Sequence, residues 1–169
     1  MKQALVIGGT GMLKEVCIWL TEQDFHVTVV ARYPVKMEAL IAAASPEKIT
    51  PVLADYMQTA QLKSKLQGQY DLIIAWVHSG GEAAVQMLLA KTNEFYHVLG
   101  SRADLKKIKE GLKIPESCNY HQVQLGFILQ GESSRWLKNS EIAAGVIEAV
   151  KRKQPRSLVG TIEPWEKRP

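Results

Sequence analysis

The stretch Ala4-Leu5-Val6-Ile7-Gly8-Gly9-Thr10-Gly11-Met12-Leu13-Lys14 decides how the chain is read. A short apolar run ends in a cluster of glycines, and a helix-period pattern follows over Met12–Gln23. Such a run, bounded by glycine, is a buried strand that turns directly into a helix. The glycines let the backbone turn sharply and let an anion come close. The helix N-terminus then offers free N–H groups and a favourable dipole to that anion. The same glycines could serve a tight turn with no ligand; their place between first strand and first helix is what favours an anion site.

Working outward, β-type runs alternate with amphipathic stretches of helix length. Strands are expected at Ala4–Ile7, His26–Ala31, Ile49–Ala54, Asp71–Val77, Phe95–Leu99, Tyr120–Leu129 and Ser157–Ile162. Helices are expected at Met12–Gln23, Val35–Ala44, Thr59–Leu66, Glu82–Lys91, Arg102–Glu110 and from a cap at Asn139 or Ser140 to about Lys153. Several strands are continuous apolar runs, so both of their faces must be buried, as in a parallel sheet with helices on each side. With right-handed crossovers this predicts an α/β, three-layer Rossmann fold. Its sheet is doubly wound, mostly parallel and of about six or seven strands. At 169 residues the chain suits one domain over residues 1–169.

The end of the second strand bears on the ligand. Where a dinucleotide fold uses an acidic residue to hold a ribose 2′-OH, this chain has Arg32. A guanidinium there can pair with a 2′-phosphate and cannot replace the carboxylate as an acceptor, so the expected cofactor is NADP(H). The third position of the glycine pattern is Lys14, where glycine normally permits close packing of helix on strand. Either the helix sits further out or Lys14 points away.

These residues resemble the short-chain dehydrogenase/reductase superfamily, over roughly residues 1–150. The turn matches its GxxGxxG at Gly8 and Gly11 and departs at Lys14. The resemblance implies that Asp55, in Leu53-Ala54-Asp55-Tyr56, contacts the adenine amino group. It also implies that the segment from Ala75 to Gly81 lines the cofactor, and that Ser101 stands where the family's catalytic serine ends the fifth strand. The expected cofactor contacts are Gly8, Gly9, Thr10, Gly11, Met12, Leu13, Arg32, Asp55, Tyr56, Trp76 and His78.

The family's tyrosine and lysine, one helical turn apart, are missing. Four residues after Tyr33, Tyr56, Tyr70, Tyr96 and Tyr120 stand Met37, Ala60, Ile74, Gly100 and Gln124. The chain therefore reads as an atypical, shortened member without YxxxK. Ser101 and His78 are the remaining candidates for acid–base work; the alternatives are a serine capping the next helix and a loop histidine with no special role. His97 and His121, inside strands, read as satisfied core or edge residues. Two functions stay open: an NADP(H)-dependent oxidoreductase of atypical mechanism, and a non-catalytic dinucleotide sensor or scaffold. The short stretch from Ser101 to Tyr120 favours the sensor. Gly126–Trp136, as a possible pocket wall, favours the enzyme.

The net charge of +4 does not point to nucleic acid. Residues 1–150 balance, and the excess lies in Lys151, Arg152, Lys153, Arg156, Lys167 and Arg168, a solvated helix end and tail; no basic face interleaved with aromatics runs across the domain. Cys118-x-x-His121 is a single pair, so no metal site is expected. Cys17 and Cys118 read as buried or half-buried free thiols in a reducing compartment. No apolar run is long enough to span a bilayer, and Met1–Ile7 does not read as a secretory signal; a cytoplasmic protein is expected. A homo-oligomer is compatible with the fold, although no stretch specifies one.

Overall fold

A computed structural model describes residues 1–169. Six strands come first: β1 (Lys2–Ile7), β2 (Phe25–Ala31), β3 (Ile49–Leu53), β4 (Leu72–Trp76), β5 (Glu94–Leu99) and β6 (Asn119–Leu125). A hairpin follows, β7 (Phe127–Gln130) and β8 (Ser133–Trp136), and then β9 (Arg156–Val159). The helices are α1 (Lys14–Glu22), α2 (Pro34–Ala43), α3 (Thr59–Lys65), α4 (Glu82–Leu89), α5 (Leu105–Glu110) and α6 (Asn139–Arg152). Seven strands form one parallel sheet in the order β3-β2-β1-β4-β5-β6-β9. This is the three-layer α/β Rossmann arrangement. The strand order reverses between β1 and β4, and ligands of such sheets bind outside the carboxyl ends at that point.

Alternate residues of the strands feed two cores. On one face Ala4, Val6, Val27, Val29, Ile74 and Val98 pack against α1, α2 and α6. On the other, Leu5, Ile7, Ile73, Ala75 and Phe95 pack against α3 and α4. Burial on both faces is why these strands are apolar at consecutive positions. No helix is long and apolar enough to cross a membrane.

Several boundaries differ from expectation. The strand expected over Tyr120–Leu129 breaks at Gly126, where the backbone of Thr161 pairs with Phe127 and packs so closely that only glycine fits. Phe127 and Thr161 exchange backbone hydrogen bonds of 2.8 and 2.9 Å across that point. The last strand ends at Val159, and Gly160 turns with φ +76°. Helix α1 begins at Lys14, two residues late, since the glycine turn closes on itself first: Gly11 and Leu13 both donate to the Gly8 carbonyl. Neither Asn139 nor Ser140 caps α6. Its first turn is closed by Glu141, whose carboxylate accepts the Lys138 N–H at 2.9 Å and pairs with Arg135 at 2.7 Å. That pairing, helped by the Lys138 hydrogen bond, holds the Glu141 carboxyl down at about 2.

Candidate functional site

The glycine turn sits at the carboxyl end of β1, beside β2 and β4. Each glycine has a different surrounding. Gly8 has φ +98°, where a side chain is strained, and an added Cβ would lie 3.1 Å from the Trp76 Cβ. Gly9 is the close-packing glycine: a Cβ there would come within 2.6 Å of the Cys17 sulfur and 2.9 Å of Val29 Cγ1. This resolves the Lys14 question. Helix α1 approaches the sheet through Gly9 and Cys17, so position 14 needs no glycine, and Lys14 is half-buried. Cys17 is fully buried, its thiol pushed well up by burial, and it serves as packing. At Gly11 an added Cβ would meet only the Gly8 carbonyl oxygen, at 3.9 Å, and the residue is exposed. The N–H groups of Gly9, Thr10 and Met12 have no acceptor in the protein. The turn thus presents three unpaired donors around an open glycine.

The register β1–β2 sets Ile7 opposite Val30, which brings Arg32 level with the turn. Arg32 is exposed, has no ion-pair partner, and lies over the Tyr33 ring with its guanidinium carbon 5.2 Å from the centroid. Asp55 follows β3, half-buried, with one carboxylate oxygen accepting the Met57 N–H at 2.9 Å; its other oxygen is free of protein partners. The Tyr56 hydroxyl accepts the His78 N–H at 3.0 Å and ties the loop after β3 to the loop after β4. Trp76 spans the crevice floor: its Cβ lies by Gly8 and its ring edge 3.8 Å from the Cβ position of Gly100. The His78 ring meets Trp76 edge-on, centroids 5.5 Å apart, and is exposed.

Ser101 follows β5 in a loop held from below. The buried Gln124 amide donates to the carbonyls of Gly100, Ser101 and Ala103 at 3.3, 3.3 and 3.1 Å. Ser101 caps nothing; α5 is capped by Asp104, which accepts the Lys107 N–H at 3.1 Å. The wall facing Ser101 is built by Ile162, Trp165 and Arg168 of the C-terminal segment, in place of Gly126–Trp136. His78 lines a different, adjoining cavity, so the two acid–base candidates are not brought into one pocket.

That second cavity, of about 620 Å³, lies between α4, α5 and the ends of β4 and β5. It exists because α5 has six residues and cannot cover the sheet face beside it. The sheet face below α5 is polar: His97 from β5, which lines the cavity, and behind it Tyr120, Gln122 and Gln124 from β6, all buried. Hydrogen bonds fix their protons in sequence. The Leu105 carbonyl accepts from Gln122 Nε2 at 2.9 Å, so the amide nitrogen faces α5. The same nitrogen donates to the Tyr120 hydroxyl oxygen at 3.2 Å. The Tyr120 proton is then left for His97 Nδ1, 2.7 Å away. Burial holds the Tyr120 hydroxyl protonated, pushed up to about 12, and pushes the His97 imidazole down to about 4. A neutral imidazole that accepts at Nδ1 carries its hydrogen on Nε2. Nε2 has no partner in the protein, yet it is not sealed from solvent. His97, expected as a satisfied core residue, therefore offers an N–H to the cavity. His121 does match that expectation: Nδ1 faces the Gln154 carbonyl at 2.8 Å, Nε2 faces Glu94 at 2.9 Å, and the ring stacks on Tyr96.

No family model matches the chain, and no curated protein matches it in sequence. Its fold is shared by solved structures at low identity. Pen from Bacillus thuringiensis superposes with a TM-score of 0.65 at 13% identity, over 89% of this chain and 65% of its own. This chain thus spans just under two thirds of the length of Pen. A short-chain dehydrogenase from Streptomyces avermitilis gives 0.66 at 13% identity, over 95% of this chain and 88% of its own. BdcA, solved in complex with NADPH, gives 0.67 at 11% identity, over 94% of this chain and 93% of its own.

Proposed function

We propose that the protein binds NADP(H) at the crevice between β1 and β4 and works as an oxidoreductase of atypical mechanism. The observation that carries this reading is Gly11. Its neighbours have structural reasons to be glycine: a left-handed φ at Gly8 and contact with Cys17 and Val29 at Gly9. Gly11 has neither, and it stands among the unpaired N–H groups of Gly9, Thr10 and Met12. A cradle kept open beside three free donors suits a pyrophosphate. Met12 and Leu13 complete the turn under it, and Arg32 is the group for a 2′-phosphate. The free Asp55 oxygen suits an amino group such as that of adenine, and Tyr56, through His78, holds the crevice wall. Trp76 is the floor toward Gly100.

A bound nicotinamide supplies or takes up a hydride. The chain's part is to hold it, to exclude water with Trp76, and to move a proton at the substrate oxygen from His78 or Ser101. A second reading, a sensor without catalysis, is favoured by the six-residue α5 and the lack of a tyrosine–lysine pair on it. Both readings require the cofactor site.

Titration with NADPH and NADH, followed by nicotinamide fluorescence, tests the proposal. Saturable NADPH binding, weaker NADH binding and reversal of that order in Arg32→Asp are expected. Absence of binding by either nucleotide would sink it.

A further inference from the structure

The cavity under α5 adjoins the glycine-turn crevice, sharing Trp76 and His78 with it, and has its own chemistry deeper under α5. Its walls are apolar over Val77, Val85, Leu99, Ile108 and Leu112. Inside, the Nε2–H of His97 has no acceptor, although the residue is 95% buried (5% exposed). This N–H opens on the cavity and its solvent, and the relay through Tyr120 and Gln122 keeps it a donor to whatever enters. Arg102 and Lys107 line the cavity from the α5 side, and neither has an ion-pair partner. The acidic side chain there, Glu82, is already engaged by the N–H of Gly80 at 3.1 Å. His78 also lines the cavity. An occupant must therefore offer an apolar body, an acceptor for His97 and a charge that suits two cations against one tied carboxylate.

We infer that this cavity is a binding site for a small organic monocarboxylate with an apolar body, recognised by the Nε2–H of His97 together with Arg102 and Lys107. The relay sets the polarity of recognition: Tyr120 donates to Nδ1, so His97 selects an acceptor over a donor. The apolar walls select hydrocarbon over a sugar or a polyanion. The groups that would hold the carboxylate, His97, Arg102 and Lys107, are not those proposed for the dinucleotide, so loss of one binding event is distinguishable from loss of the other.

The test is a titration of the isotope-labelled protein with hexanoate and, in parallel, with 1-hexanol, read by amide and histidine ring-nitrogen NMR. Hexanoate should shift His97 Nε2 and the amides of Lys107 and Gly111. It should leave Gly9 and Gly11 unmoved, and it should bind at least about tenfold more tightly than hexanol. Lys107→Gln should weaken hexanoate several-fold and leave hexanol unchanged. Leu112→Trp, at the half-buried rim, should block both, and its own spectrum reports whether it is folded. Equal binding of hexanol and hexanoate would reduce the cavity to an apolar void and overturn the proposal. So would shifts that leave His97 Nε2 unmoved, or no binding of either compound.

Discussion

At the carboxyl ends of β1–β3 the available polar groups are backbone N–H groups and exposed side chains, Arg32 above all; at β5 and β6 they are side chains sunk into the sheet face. The first half leaves space at Gly11 and borders it with unpaired donors, the features on which the proposed cofactor site rests. The second half holds His97, Tyr120, Gln122 and Gln124 in a bonded relay below a short helix. Open backbone sites cost little stability to maintain. Buried polar sites are coupled to folding, because each group must find its partner as the sheet forms.

That difference can be broken first by pH. His97 is held at about 4 when folded, against an ordinary value of 6.5. Below 6.5 the unfolded chain takes up a proton that the folded chain refuses. Stability should therefore fall as pH drops from 6.5 toward 4, by roughly 3 kcal/mol, and should level off below 4. Denaturant unfolding across that window checks it, and His97→Gln, which cannot titrate, should remove this part of the slope. The glycine turn lacks such a group and contributes no comparable loss.

The next effect separates two glycines two positions apart. Gly9→Ala should cost about 1–3 kcal/mol, since Cys17 and Val29 must give way in a packed core. Gly11→Ala should leave the melting temperature nearly unchanged and weaken NADPH at least about tenfold, by roughly 1.4 kcal/mol. Thermal melts and NADPH titrations on both variants read the two effects independently. If Gly11→Ala binds NADPH as the unmodified chain does, the cradle at Gly11 is not used.

Arg32→Asp should weaken NADPH by about tenfold to a hundredfold with little change in stability, because the side chain is exposed and unpaired. Competition between NADPH and NADH checks it. The smallest effect is expected far from both regions. Glu141→Gln removes the charge pairing with Arg135, which is half-exposed, while the amide oxygen can still accept the Lys138 N–H, so a slight fall in melting temperature is expected by circular dichroism.

The same contrast explains what the sequence made legible. The strands were visible because two-sided burial leaves continuous apolar runs, and Arg32 was visible because the strand register is short and local. The individual duties of Gly8, Gly9 and Gly11 were not. They depend on Trp76, Val29 and Cys17, which arrive from three other elements. His97 was passed over because a histidine within a strand is commonly satisfied by its neighbours. A signal was present all the same: His97, Gln122 and Gln124 are polar at positions where a doubly covered sheet should be apolar, and α5 is too short to cover them. Together those facts call for a cavity beside a polar patch of the sheet, entered by His97. The break at Gly126 was hidden because the backbone that displaces it, at Thr161, lies 35 residues away.

The most direct test of the central assignment is an amide NMR titration of the labelled protein with NADPH. The account predicts that the largest shifts fall on Gly9, Thr10, Gly11 and Met12, with Arg32 and the Trp76–His78 segment following, and that the amides of α5 stay in place. No change at the glycine turn at saturating NADPH, or shifts confined to the cavity beneath α5, would contradict it.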